Sequence, residues 1–286
     1  MSATALEALV GILDLERLEV NLFRGVSLAD DRVRVFGGQV AGQALVAAGR
    51  TVAPDRRVHS LHAYFLRPGD PRAPIVYEVD RIRDGRSFTT RRVVAVQQGE
   101  AIFNLSASFH ADEEGLVHQD PMPEVAPPAS VPTFAEAMAP HRAELGSWYD
   151  RPRPIDVRYL GSNPLRRRPG EAGASRGRAW IRSDGALGDD PLLHACVVAY
   201  ASDMFLLDIT LAPHGASIWA HPDVMLASLD HAMWFHRPFR ADRWLLYCQE
   251  SPTASGARTF ARGTIFTAEG DLAVSVAQEG LVRRRV

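Results

Sequence analysis

Residues 58–70, VHSLHAYFLRPGD, and residues 226–239, LASLDHAMWFHRPF, are two versions of one motif within a single chain. Both place a serine ahead of an aromatic segment that ends in Arg-Pro. Internal similarity of this kind is the signature of a repeated structural unit. The matching residues, at slightly wider spacing in the second copy, are Ser60, Arg67 and Pro68 in the first and Ser228, Arg237 and Pro238 in the second.

Each copy of the motif is followed by three extended segments. Segments such as IVYEV at 75–79 and VSVAQEGLV at 274–282 alternate along the chain and carry β-branched residues at alternate places. Alternation with a period of two, broken by short turns, predicts an antiparallel meander. The same landmarks recur in both meanders, namely Arg86–Phe88 and Arg258–Phe260 before the middle segment and Gly99 and Gly270 in the turn before the last.

A helical segment precedes each copy of the motif. The first, GGQVAGQALVAAGRTV, begins at Gly37 and carries small apolar residues at helical spacing. The second, DDPLLHACVVAYASDMF, has Asp189 or Asp190 as its cap and Pro191 in its first turn. Its body is apolar nearly all round, which is typical of a buried helix. The sequence therefore predicts an α+β fold in which a curved antiparallel sheet wraps around a central helix, twice over.

A proline-rich segment separates the two units. Five prolines lie between Pro121 and Pro132, which excludes a central strand and predicts an extended connector. We therefore predict an N-terminal unit at 1–115, a linker at 116–150 and a C-terminal unit at 151–286. We expect each unit to expose a sheet edge and a helix flank, and the two units to bury these by joining their sheets.

The composition is that of a globular protein with a sizeable core, with 46% hydrophobic and 23% charged residues among 286. No apolar run approaches the ~20 residues that cross a bilayer, and the N-terminus lacks the features of a signal peptide. The net charge of -2 provides no broad attraction to nucleic acid or membrane. Cys196 and Cys248 make neither a disulfide framework nor a metal knuckle. We expect a cytoplasmic protein that binds no metal, nucleic acid or membrane.

Six motifs occur across both halves: VFGGQVAGQAL, YFLRPGD, RDGRSFTTRRV, YASDMFLL, LDHAMWFHRPF and QEGLVR. Together they resemble the type II acyl-CoA thioesterases, the TesB-like double-hotdog enzymes, from about Leu13 to Arg283. The resemblance implies two hotdog units in tandem, in agreement with the repeat. It also implies hydrolysis of acyl-CoA to a free acid and CoA without a metal or an organic cofactor.

In the family that this chain resembles, an Asp, a Thr or Ser, and a Gln hold the nucleophilic water. The motifs place these roles on Asp203 of YASDMF, Ser228 of ASLDHAMWF and Gln278 of VAQEGLV. Ser228 stands where the bacterial pattern has Thr. The hydroxyl is retained, but we expect looser positioning because serine lacks the β-branch.

The residues themselves support these roles unequally. Asp203 ends an apolar helix, where the negative helix pole and desolvation disfavour the anion and suit a general base; a solvated helix end is the alternative. Gln278 continues the apolar row of its strand, so its amide needs a buried partner, either a catalytic water or a structural group. Ser228 alternates with Leu226 and Asp230 on a mixed face, and we interpret it as a group that orients water.

The first half lacks an acidic residue in its helix, so we predict that the N-terminal unit is catalytically silent. Gly37, Gly38 and Gln39 would then line the substrate pocket or support the other unit, because small residues allow an acyl or polypeptide chain to approach the helix closely. The run Arg166, Arg167 and Arg168 offers candidate partners for the phosphates of CoA, although a solvated charge run is the simpler interpretation. Hotdog proteins commonly assemble further, and we expect a homo-oligomer, either dimer or tetramer.

Two alternatives to the hydrolase remain open. Hydration or dehydration of an enoyl thioester on the same fold needs an Asp and a His in one pocket, for which Asp203 and His214 are the available pair. A non-enzymatic acyl-CoA-binding module would need no base. Acyl chain length depends on pocket depth, which a few side chains could set: Met204, Phe205, Trp219 and Met225.

Overall fold

Alternating strands and one buried helix build the N-terminal unit, as the sequence predicts. The computed structural model describes residues 4–28, 33–161, 165, 170, 175–217, 221 and 223–284. Thr4 caps the first helix with a capping box that it forms with Glu7. The elements of this unit are α1 (Ala5–Leu13), β1 (Glu16–Glu19), β2 (Leu22–Gly25), α2 (Gly37–Gly49), β3 (Arg56–Phe65), β4 (Ile75–Asp84), β5 (Phe88–Gln97) and β6 (Glu100–Ala111).

The linker has more structure than the extended connector that its prolines predict. Its first part lies against the C-terminal unit, where Trp180 Nε1 donates to the carbonyl of Ala126 at 2.9 Å. Gln119 Nε2 donates to the Gly270 carbonyl at 2.8 Å. Its second part is helical, because Thr133 forms a capping box that starts a short helix. The helices are α3 (Phe134–Met138), α4 (Arg142–Leu145) and α5 (Ser147–Asp150), with 3₁₀ turns at Pro128–Ser130 and Ala139–His141.

The C-terminal unit repeats the helix and the meander. Asp190 caps its central helix by accepting from the Leu192 N–H, and Pro191 takes the first helical position. Its elements are β7 (Ile155–Leu160), β8 (Arg176–Ser183), α6 (Pro191–Asp203), a 3₁₀ helix at Asp208–His214, β9 (Val224–Ser228), β10 (Asp230–Phe235), β11 (Leu245–Ser255), β12 (Arg258–Thr267) and β13 (Leu272–Arg284).

The two sheets join into one sheet of thirteen described strands. Their order is β1-β2-β4-β5-β6-β3-β10-β13-β12-β11-β8-β7, with β9 added on β13. The junction is the antiparallel pair of β3 and β10, in which His62 lies opposite Ala232. These two strands are the two copies of the repeated motif. The expected tandem hotdog fold, with units that join their sheets, is confirmed.

The two central helices lie side by side and antiparallel, and both pack against the sheet. Glycines on α2 allow the close approach: a Cβ at Gly38 would lie 2.6 Å from the carbonyl oxygen of Tyr200, and one at Gly42 would lie 3.2 Å from that of Cys196. The antiparallel arrangement brings the start of α2 to the end of α6. The candidate site lies where these two helix ends meet.

The expectation that no apolar run approaches the length of a membrane span is wrong for one stretch. Residues Pro191–His214, which include α6 and the following 3₁₀ helix, are long and apolar enough to cross a membrane by length and composition. The most apolar window of this stretch is 89% buried inside the fold. Its composition is therefore that of a core helix which contacts the sheet on one side and α2 on the other.

Candidate functional site

The structure brings together the three side chains that the resemblance singled out. Asp203 is the last residue of α6, Ser228 ends β9, and Gln278 lies within β13. Gln278 Nε2 donates to Asp203 Oδ1 at 2.7 Å, and Ser228 Oγ donates to the same oxygen at 3.3 Å. Both hydrogen bonds reach Oδ1, so neither of these two donors occupies Oδ2.

A β-bulge turns Ser228 toward this carboxylate. Ser228 lies opposite Gly280 on β13, whereas Ala232 lies opposite Ala277. The four steps from Ser228 at the end of β9 to Ala232 in β10 therefore match three steps on β13, and the extra residue falls near Leu229. The alternation that put Ser228 on a mixed face does not continue through a bulge. Ser228 consequently shares the inner face of β13 with Gly280 and, two residues away, with the candidate Gln.

Gln278 lies where its strand pattern predicts. The side chain is fully buried, and Val274 and Val276 on the same strand face are buried as well. Of its amide, Nε2 binds Asp203, while Oε1 is buried and has no hydrogen-bond partner among the described residues. An unpaired buried acceptor costs about 1–3 kcal/mol, so this oxygen calls for a donor.

The first turn of α2 completes one wall of the site. A Cβ at Gly37 would lie 2.8 Å from Asp203 Oδ2 and 2.6 Å from Cε1 of Phe65, so no larger residue fits without displacement. The first N–H groups of a helix have no partner within the helix and carry its positive end. Oδ2, which accepts from neither Ser228 nor Gln278, therefore faces the positive pole of the other unit's helix.

The other predicted binding residues are placed differently. Gly38 packs on the backbone of α6. Gln39 is buried, and its Nε2 donates to Ser27 Oγ at 3.1 Å, so it supports the segment after β2. Arg166, Arg167 and Arg168 lie outside the described residues, as does Trp219.

Two further buried side chains, His231 and Ser202, lie next to the three predicted residues. His231 is fully buried, and its Nε2 is 2.9 Å from Ser202 Oγ. Burial lowers the pKa of His231, whereas the charges of Asp203 and Asp230 and the neighbouring amide of Gln278 act in the opposite direction. Neither residue is recognisable in the sequence as part of a site, because their proximity depends on strand register. The carboxylate of the neighbouring Asp230 accepts from the Glu279 N–H at 2.6 Å.

Ser60, the sequence match of Ser228, is not its structural counterpart. When the two copies are aligned at Arg67 and Arg237, Ser228 falls opposite Val58 and not opposite Ser60. The reason is that the second copy has two more residues between its serine and Arg-Pro. The first unit therefore has an apolar side chain where the second has a hydroxyl.

The other two positions also differ between the units. Both central helices have 13 residues, and α2 ends in Gly49 where α6 ends in Asp203. The pairing of β3 with β6 and of β10 with β13 defines the remaining counterparts: His62 and Ala232, Ser106 and Ala277, Ala107 and Gln278.

A buried arginine occupies the corresponding space of the N-terminal unit. Arg91 pairs with Ala107 on β6, just as Ala261 pairs with Gln278 on β13. The Arg91 side chain is 1% exposed and donates to Thr51 Oγ1 at 2.9 Å, just beyond the end of α2, and to Asp84 Oδ1 at 2.6 Å. The described part of this unit thus offers no counterpart of the three-residue set.

Two further properties bear on the kind of site. Within the described ranges, no group of three or more His, Cys, Asp or Glu residues is placed to hold a metal ion. Two pockets of about 300 Å³ each lie elsewhere, one beside Arg91 and one beneath the linker at Val131.

The tandem hotdog fold and the similarities that follow define the class of this protein as thioester hydrolases. The profile of the family described as acyl-CoA thioesterase matches residues 155–281, and that of the acyl-CoA thioesterase N-terminal domain matches residues 29–110. Human acyl-coenzyme A thioesterase 8 is 40% identical over 284 residues, which cover 95% of this chain and 88% of that protein.

Solved structures agree. The acyl-CoA thioesterase II TesB2 of Mycobacterium marinum is 47% identical, with a TM-score of 0.80 over 96% of this chain and 98% of that one. A protein with the hotdog fold from Alicyclobacillus acidocaldarius, 21% identical, has a TM-score of 0.77 over 98% and 99% of the two chains and shows the fold alone. The chain belongs to the type II acyl-CoA thioesterase family.

Proposed function

We propose that this chain hydrolyses fatty acyl-CoA by direct attack of a water that Asp203, Ser228 and Gln278 hold. The observation that carries the proposal is the convergence of both donors on Oδ1 of Asp203. This arrangement fixes the carboxylate and leaves Oδ2 to accept a proton. The second N–H of the Gln278 amide can orient the same water, since an amide NH₂ has two donors.

The chemistry follows from these positions. Water attacks the thioester carbonyl carbon while Asp203 takes its proton, which forms a tetrahedral oxyanion. The N–H groups at the start of α2, beside Gly37, are the preorganised donors that we assign to that oxyanion. Collapse of the intermediate expels the CoA thiolate, which receives the proton from Asp203, and the fatty acid leaves.

We propose one active site per chain. Gly49, Val58 and Ala107 stand where the C-terminal unit has its acid, hydroxyl and amide, so the N-terminal unit has no group to activate water there. This unit contributes the start of α2 to the site instead. We also propose that the chain forms a homo-oligomer. Tyr64 on β3 and Trp234 on β10 are 59% and 37% exposed, and they offer apolar surface that a second copy could cover.

The hydratase alternative is less well supported by the arrangement. His214, its proposed partner for Asp203, is exposed at the end of a 3₁₀ helix. His231 does lie near Asp203, but it is fully buried and its Nε2 faces Ser202, so it has no open path to an enoyl substrate.

A chain-length series of acyl-CoAs tests the proposal by release of free thiol. We expect the wild type to release thiol and Asp203→Asn to lose about 10²–10⁴ in kcat, the typical contribution of a general base. Asp55→Asn, an exposed carboxylate in the first unit, is the matched control and should be unaffected. If no acyl-CoA releases thiol, hydrolysis of these substrates is refuted; full activity in a folded Asp203→Asn refutes the base.

A further inference from the structure

The strand register places His231 and Gln278 side by side. Ala232 lies opposite Ala277, so the next pair outward along β10 and β13 is His231 with Gln278. Directly opposed residues on antiparallel strands have Cβ atoms about 4.5–5.5 Å apart on one face. Both side chains are fully buried. The imidazole therefore lies beside the amide that binds Asp203.

Each of these two side chains has one buried polar atom without a partner. These atoms are His231 Nδ1 and Gln278 Oε1. A carbonyl oxygen can only accept, whereas Nδ1 can donate if it carries the ring proton. The two unsatisfied atoms thus satisfy each other in only one tautomer of His231.

Ser202 decides which tautomer is consistent with the site. Its Oγ lies 2.9 Å from His231 Nε2 and 3.0 Å from the carbonyl of Ala199, but its hydroxyl has a single proton. If that proton points to Ala199, Nε2 must donate to Oγ, and the lone pair of Nδ1 faces the lone pairs of Oε1. If it points to Nε2, the proton of His231 lies on Nδ1 and both atoms are satisfied.

We propose that His231 is a positioning residue, which accepts a hydrogen bond from the Ser202 hydroxyl at Nε2 and donates Nδ1–H to Oε1 of Gln278. This proposal rests on the proposed function of the site. The bond fixes which end of the amide faces Asp203, because a flipped Gln278 would place Oε1 against Oδ1 of the carboxylate. Burial lowers the pKa of His231, which keeps the ring neutral as this arrangement needs.

A pair of isosteric substitutions separates this role from packing. The amide nitrogen of Asn can take the place of Nδ1, and that of Gln the place of Nε2. We expect His231→Asn to retain most of the kcat, and His231→Gln and His231→Leu to lose about tenfold, with KM unchanged. His59→Leu is the control, because His59 makes a similar bond to Ser108 Oγ, at 2.8 Å, far from the site.

Coupling gives a second readout. In a Gln278→Ala background, His231→Leu should cause no further loss of kcat, since the residue acts through the amide that is now missing. Equal losses in both backgrounds, or equal kcat in the Asn and Gln variants, would overturn the proposal. Melting temperatures of all variants identify any loss that reflects unfolding.

The tautomer is measurable in the wild type even if the variants do not fold. Long-range ¹H–¹⁵N correlation spectra distinguish a ring protonated at Nδ1 from one protonated at Nε2. We expect the Nδ1–H form for His231 at neutral pH; an Nε2–H or doubly protonated ring contradicts the proposal. This spectrum does not depend on turnover. A wild type that releases no thiol but shows Nδ1–H therefore refutes the proposed function alone.

Discussion

The two oxygens of Asp203 have different surroundings, and the proposed chemistry depends on that difference. Oδ1 accepts from Gln278 at 2.7 Å and from Ser228 at 3.3 Å. Oδ2 lies next to Gly37 at the positive end of α2. One oxygen is thus held by the C-terminal unit, and in the proposed mechanism the other binds a water that also meets the helix N-terminus of the N-terminal unit.

We predict that Gly37→Ala lowers kcat about 10- to 100-fold, because displacing a catalytic group by a fraction of an ångström to 1 Å has effects of this size. A Cβ there meets Asp203 Oδ2 at 2.8 Å and the ring of Phe65 at 2.6 Å. Steady-state thiol release measures the effect. Gly11→Ala in α1 is the control, since nothing lies within 4 Å of its Cβ. Wild-type kcat in Gly37→Ala would show that the site tolerates the added methyl group.

At this scale the sequence predicts part of the site. Gln278 is recognisable because alternation along its strand holds, so an amide in an apolar row is visible in the sequence. The orientation of Ser228 cannot be recognised in the sequence, because a bulge reverses the faces of a strand without a sequence signal of its own. The proximity of His231 and Ser202 cannot be recognised either, because it depends on pairing between elements that are distant in the chain.

At the scale of elements, the two units repeat the same helix and strands but differ at the positions that form the candidate site. The small residues of α2 predict a closely packed helix, and the structure identifies α6 as the partner. The proline-rich linker is the element that composition describes least well, because its short helices start from a local cap at Thr133. In the first unit the space that corresponds to the site holds Arg91, whose guanidinium makes five hydrogen bonds to surrounding groups.

We predict that Arg91→Met destabilises the fold by about 2–4 kcal/mol, since it leaves buried acceptors at Thr51 and neighbouring carbonyls without their donor. The carboxylate of Asp84 is 60% exposed and stays hydrated, so it adds little. Urea unfolding measures the change, and kcat under native conditions should not change. Arg92→Met, on the same strand with a side chain 57% exposed, should lose less than about 1 kcal/mol. Equal stability of the two variants would refute the structural role of Arg91.

At the scale of the whole molecule, the site is shared between units that the repeat would otherwise make independent. β3 covers the edge of β10, and the start of α2 reaches the end of α6. The repeat in the sequence predicts two joined units, but it does not indicate that the unit without the acid supplies a wall of the site. That follows only from the antiparallel packing of the two helices.

Separating the halves at the predicted boundary tests this shared construction. We expect residues 151–286 alone to release no thiol from acyl-CoA, because the fragment lacks Gly37 and exposes the edge of β10. Coexpression with residues 1–150 should restore activity, because β3 and β10 can pair between chains as they do within one. The control carries Asp203→Asn in the C-terminal half and should stay inactive when the halves are combined. A C-terminal half with wild-type kcat on its own would show that the N-terminal unit contributes nothing to catalysis, and the wall at α2 would then be structural only.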